Sequence, residues 1–231
     1  MKRFAKTIAG AASLAFFLGV LAAGQANAQG ILNEILGRMD KHNESLQSLK
    51  SDLKMVKYDP VVGENDTFEG TLVFLPKTRE HARYARIDWE KPREESIAVR
   101  GDTFDSYVPG TKTKTTGKTS GMTKGVSSGA LSLLSMSKAQ LKANYTIDYL
   151  GQEGMTGAVQ AWHLRLTPKN KSDYISTDLW IDGDGMPLQV RDTLKNKSTT
   201  TMLLTRIRKN EKVEGSLFVI KTPEGTKVVK G

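Results

Sequence analysis

Cysteine is missing from all 231 residues. That excludes disulfides, thiolate metal sites, cysteine nucleophiles and an acyl anchor on an N-terminal cysteine. Histidine is scarce, with only His42, His81 and His163, so the donors for a histidine-rich metal site are short. Seven prolines and 21 glycines are too few for a collagen-like or proline-rich chain. No stretch beyond residue 28 is apolar enough to hold the chain in a membrane. What is present is a globular balance of 38% apolar and 26% charged residues, with a net charge of +9. The length suits one domain, or at most two small ones.

Residues 1–28 read as a secretory signal peptide. Lys2, Arg3 and Lys6 make a positive start, and Ala9 to Ala23 are almost wholly apolar or small. Ala26-Asn27-Ala28 supplies the small residues a signal peptidase pocket accepts. The apolar run is short for a transmembrane anchor, which takes about 20 residues. Cleavage would leave residues 29–231 as a single domain, and losing those three cations lowers the net charge to +6. The expected destination is the periplasm.

Ile31, Leu32, Ile35, Leu36 and Met39 recur with the spacing of one helical stripe, which runs to about His42. From Leu46 onward the period changes to two, with Leu49, Leu53 and Met55 on one parity. Short alternating runs follow: Thr71 to Leu75, Ile87 to Trp89, Ile97 to Val99 and Phe104 to Val108. Tyr145 to Tyr149, Trp162 to Leu166, Leu179 to Ile181, Leu188 to Val190, Thr199 to Arg208 and Ser216 to Ile220 complete the set. Turns separate them, so the spacing predicts an antiparallel meander closing toward a sandwich or barrel. Residues 111–129 hold Thr, Lys, Gly and Ser and read as a mobile loop. Val126, Ala130, Leu131, Leu133 and Leu134 return to helical spacing. Ser137 to Gln140 has the form of a capping box opening a second short helix, which would contain Leu141.

No motif carries covalent chemistry. Gly117-Lys118-Thr119 lacks the glycine a phosphate loop needs five residues earlier, where Lys112 stands. Asp182-Gly183-Asp184-Gly185 reads as a hairpin turn, because a calcium loop needs a closing Glu where Thr193 is found. His163 alternates with Trp162 and Leu164 and is expected to face outward from its strand. No nucleophile elbow occurs, and Glu94-Glu95 lies in a solvated turn. The expectation is no enzyme, no metal and no cofactor. Export argues against nucleic acid, so the Lys112, Lys114, Lys118 and Lys124 cluster reads as a solvated segment or as attraction to acidic partners or anionic headgroups. What remains is apolar. A curved sheet capped by small helices tends to enclose space that side chains cannot fill.

The order of the segments resembles the periplasmic lipoprotein carriers of the Lol pathway, the LolA-like outer-membrane lipoprotein-sorting proteins. The resemblance lies in Glu69-Gly70-Thr71-Leu72-Val73-Phe74, in Arg86-Ile87-Asp88-Trp89-Glu90-Lys91-Pro92 and in Glu95-Ser96-Ile97-Ala98-Val99 with Gly101-Asp102. It continues in Tyr107-Val108-Pro109 and closes on Phe218-Val219-Ile220-Lys221-Thr222-Pro223-Glu224-Gly225-Thr226. It implies a mainly β fold with short helices: an unclosed, strongly curved antiparallel barrel with a helical lid over a hydrophobic cavity. It also implies a monomer that carries acylated lipoproteins from an inner-membrane lipoprotein-releasing ABC transporter to an outer-membrane acceptor. The alternatives are a periplasmic binder of another lipid, or a lipid-sensing regulatory module of the same fold.

On this reading strand parity assigns Leu72, Phe74, Ile87, Trp89, Ile97, Val99, Trp162 and Leu164 to the cavity wall. Leu131, Leu134, Met136 and Leu141 form the inner face of the lid. One departure stands out. The family places an Arg before a Pro to latch the lid, and here Leu75 precedes Pro76, with Lys77 and Arg79 following.

Overall fold

The computed structural model describes residues 29–79, 81–121, 133–155 and 159–231. The expected signal peptide and the stretch from Val126 to Leu131 lie outside them. Residues 29–45 form helix α1. Its Leu32, Ile35, Leu36, Met39 and His42 share one face and are buried. Ile31 is 39% exposed, so the buried stripe is narrower than the apolar pattern.

Beyond α1 the period-two pattern becomes strand. β1 (Leu49–Asp59) and β2 (Glu64–Leu75) form a long hairpin, followed by β3 (Tyr84–Lys91), β4 (Glu95–Arg100), β5 (Thr103–Val108) and β6 (Thr113–Lys118). Helix α2 (Lys138–Asn144) leads into β7 (Tyr145–Met155), β8 (Val159–Pro168), β9 (Tyr174–Ile181), β10 (Pro187–Leu194) and β11 (Thr199–Lys209), and β12 (Lys227–Lys230) is last. All lie in one 12-stranded sheet ordered β12-β6-β5-β4-β3-β2-β1-β11-β10-β9-β8-β7. Two meanders thus join where β1 pairs with β11. β7 and β12 stand at opposite edges, so the curved sheet is an unclosed barrel, as the resemblance implied.

Three expectations need correction. Residues 113–118 are not a loop but strand β6, antiparallel to β5 and flanked by 3-10 turns at Pro109–Thr111 and Thr119–Gly121. A backbone ladder needs no apolar side chains, and the β-branched threonines suit extended backbone. Ser216 to Ile220 is not a strand. Gly215–Phe218 is a 3-10 turn, and the segment lies on the convex face of β3 and β4. There Phe218 packs on Tyr84 at 5.4 Å between ring centres, and Ile220 packs on Ala98 and Tyr107. Burial on one side produced the alternation without a ladder. Finally, the meander is not purely antiparallel, since β12 returns to pair in parallel with β6.

Two glycines allow close approaches. A Cβ on Gly70 would lie 2.1 Å from the Asp88 carbonyl oxygen, at the register shift where β2 crosses β3. Gly185, with φ +91°, would put a Cβ 2.4 Å from the Arg38 backbone, so glycine lets the β9–β10 turn meet α1.

Candidate functional site

Side chains alternate across each strand, so register partners on one parity share a face. Leu72, Ile87 and Ile97 are partners across β2, β3 and β4. Phe74, Ala85, Val99 and Phe104 make the next row, across β2 to β5. On the other meander Leu164, Leu179, Val190, Met202 and Met55 form a row from β8 to β1. These rows pave the concave side. Trp89 belongs to it too, edge-on to Phe68 at 5.8 Å.

Leu72, Phe74, Ile87, Trp89, Ile97, Val99, Leu134, Leu141 and Leu164 are all buried in a single apolar cluster. Met136 and Trp162 are only partly buried, packed against its margin. Leu131 lies outside the described residues. Strand parity thus put Leu72, Phe74, Ile87, Trp89, Ile97, Val99 and Leu164 on the side that the sheet buries. What sequence reasoning missed is the role of α1. Leu32, Ile35, Leu36 and Met39 belong to the same cluster, with Leu179, Ile181, Met186, Val190, Met202 and Leu204 beneath. The helical stripe of α1 was visible in the sequence; the surface it would cover was not.

Leu72, Leu134, Pro187, Leu188, Val190, Met202 and Leu204 surround a void of about 20 Å³. This is room for about one water, whereas sites for drug-sized ligands run to roughly 300–1,000 Å³. Apolar side chains of α1 share one buried cluster with the concave face.

The helices are tied to the barrel and to each other at the rim. The Arg38 guanidinium donates to the Gly183 carbonyl at 2.7 Å and lies over the Trp162 ring at 5.2 Å. Asp40 accepts from the Lys138 amide at 2.6 Å, Asn43 donates to the Met136 carbonyl at 3.0 Å, and Lys142 donates to Asn33 at 2.8 Å. The capping box is formed: Ser137 Oγ accepts from the Gln140 amide, and Gln140 accepts from the Ser137 amide. Where the resemblance would place a latching Arg, Leu75 is half-buried, and Lys77 and Arg79 are exposed.

Polar chemistry sits at two further places. On the concave face, Thr177 donates to Asp192 at 2.5 Å and the hydroxyls of Tyr145 and Tyr174 meet at 3.0 Å. Burial, the Tyr174 hydrogen bond and the nearby Asp192 charge push the Tyr145 hydroxyl well above its ordinary range. On the convex face, His163 lies between Glu153 at 2.6 Å and Asp178 at 3.1 Å and stacks on Trp180 at 4.3 Å. It faces outward as expected, yet it is buried because these neighbours cover it. Burial pushes the Asp178 carboxyl up, but hydrogen bonds from Arg165, Arg191 and His163 outweigh it and hold it below the usual range. Asp182 accepts from the amides of Asp184 and Met186, which makes its segment a hairpin turn. Among the described residues no three His, Asp or Glu side chains gather as metal donors.

No family model and no curated protein matches the sequence. Solved structures do match the fold. An uncharacterized conserved protein from Thermus thermophilus superposes with a TM-score of 0.55 at 13% identity, over 87% of this chain and 99% of that one. MucB gives 0.50 at 13% identity over 85% of this chain, which spans 63% of MucB. A LolA superfamily protein from Nitrosomonas europaea gives 0.43 at 14% identity, over 81% of this chain and 97% of that one. The chain shares its fold with the Thermus thermophilus protein and with MucB. In this fold, helix α1 and the 133–144 segment lie over one apolar concave face, and the C-terminal segment braces the convex one.

Proposed function

We infer that the protein is a periplasmic carrier that shields the acyl chains of lipoproteins beneath its helices and moves them from the inner to the outer membrane. The observation that carries this reading is the single apolar cluster shared by the concave face, α1 and α2, with the polar ties confined to its rim. An acyl methylene gains about 0.8 kcal/mol when it leaves water. Leu32, Ile35, Leu36 and Met39 gain from the same surface. Cargo and helix therefore compete for one site, and the net affinity is a difference between two similar terms. Such a balance favours reversible loading over permanent capture. No bond is made or broken and no cofactor is needed. An inner-membrane ABC transporter would supply the cargo and an outer-membrane acceptor would take it.

The test is native mass spectrometry, with lipid extraction, of protein isolated from the periplasm. A co-purified acylated lipoprotein supports the carrier. Free phospholipid alone would move the assignment to a binder of another lipid. Protein that holds neither, and does not respond to an apolar dye, would falsify both.

A further inference from the structure

The hairpin of β1 and β2 stands out from the sheet on one flank. Its strands stay in register as far as Asp59 and Glu64, but β2 meets β3 only from Glu69 onward. Glu64 to Phe68 therefore run on beyond β3 by about 17 Å. At the tip, Val61 and Val62 are 85% and 64% exposed. The Val61 amide donates to the Asp59 carboxylate at 2.8 Å, and Gly63, with φ +75°, completes the turn that presents them. Asp59, Glu64 and Asp66 are exposed beside the valines. Of the nearby cations, Lys57 lies over the Phe68 ring at 5.1 Å, and Lys195 and Lys197 precede β11 on the other flank. The tip is an apolar knob with an acidic side.

A groove of opposite charge lies beside the C-terminal segment. It measures about 490 Å³, and Lys50, Arg86, Lys212 and Lys221 line it against one carboxylate, Glu214. Leu217 and Val219 also line it and are 38% and 44% exposed. Lys50 is paired with Glu211 at 3.0 Å, Arg86 with Asp88 at 2.7 Å and Lys212 with Glu214 at 2.9 Å. With these partners counted, four cations still meet only three carboxylates. Both members of the Lys212–Glu214 pair are well exposed, so solvent weakens their hold and Lys212 can turn to an arriving acid. The molecule's own tip does not reach this groove, because Lys50 and Asp59 stand at opposite ends of β1, about 30 Å apart. We propose that the Val61–Val62 tip of one molecule docks in the groove of a second copy, with the valines against Leu217 and Val219 and the acidic flank against Lys212 and Lys221. Tip and groove are different surfaces, so a docked pair keeps one of each free and association runs head to tail. The contact is separate from the cargo site and does not depend on it.

One hairpin tip buries little area, which places the contact among weak ones. Sedimentation velocity of protein purified as in the test above is expected to show growth beyond the monomer with a Kd on the order of 100 µM, weakened about 3-fold or more in about 0.5 M NaCl. Val61→Asp in the tip and Lys221→Glu in the groove change exposed side chains, so neither disturbs the core. Each variant alone is expected to self-associate about 10-fold more weakly. An equimolar mixture of the two is expected to form one-to-one dimers and nothing larger, because each pair then holds one intact tip and one intact groove. A wild type that stays monomeric to about 1 mM, variants that associate as the wild type does, or a mixture that stays monomeric overturns the proposal.

Discussion

Gly185 meets Arg38 so closely that a single added carbon would lie 2.4 Å from the helix backbone. The β9–β10 turn is thus seated directly on α1, and the Arg38 bond to Gly183 closes the same corner. A helix that fills the concave face is held at this end by glycine's missing side chain and one guanidinium.

Gly185→Ala should push α1 outward. The left-handed φ of +91° adds backbone strain to the steric clash. The expected loss is about 2 kcal/mol in urea denaturation, with increased binding of an apolar dye. Unchanged stability and dye binding would show that the turn does not position the helix.

Leu134→Glu places a charge against Leu72, Val190 and Met202 beside the void. The sheet's own apolar rows remain, so far-UV circular dichroism should keep its β signature. Cargo uptake should be abolished. Normal release of lipoproteins from inner-membrane vesicles by this variant would remove Leu134 from the site.

His42 is buried on α1, and no hydrogen-bond partner reaches its Nε2 among the described residues. Burial, with the nearby Lys209 charge, holds its pKa below the ordinary value, and Asp182 and Asp184 oppose this more weakly. The unfolded chain therefore takes up the proton first as pH falls. The stability due to neutral His42 is complete above about pH 6.5 and declines through the depressed folded value. Denaturation midpoints from pH 8 to pH 5 should fall, and His42→Leu should flatten the curve. An equal slope in both proteins would assign the effect elsewhere.

Asp178 titrates in a lower window. Its folded pKa is depressed, so its contribution is present above about pH 4 and is lost as pH falls through the folded value. At neutral pH, Asp178→Ala leaves Arg165 and Arg191 without this carboxylate. The expected cost is about 2 kcal/mol, less than for a fully buried pair, because both arginines reach solvent. Acid titration of the wild type and this variant, followed by tryptophan fluorescence, checks this: the wild type should lose more stability than the variant below about pH 4.

Much of the concave face was legible because burial on one side imposes a period of two. Leu72, Phe74, Ile87, Trp89, Ile97, Val99 and Leu164 all fell on the buried parity. The same rule misled at Phe218 and Ile220, where a segment without a ladder packs on the outside of the sheet. It was silent at β6, whose Thr and Lys side chains carry no burial signal, although its backbone pairs on both sides. The burial of Asp192 was invisible, because one acidic residue in an alternating strand looks solvated until Thr177 is brought opposite it.

Local order was written in short stretches of chain: a helical stripe in α1, the alternating strands, the capping box at Ser137 and the turn at Asp182. Each depends on neighbours within a few residues, where backbone geometry and side-chain chemistry act directly. Which element covers the concave face was left to the assembled sheet. Ile35 and Leu36 would be buried equally well against any apolar surface. Hydrophobic burial has no direction of its own, so their destination was set by the pairing of β1 with β11, which joins the two meanders into one curved sheet.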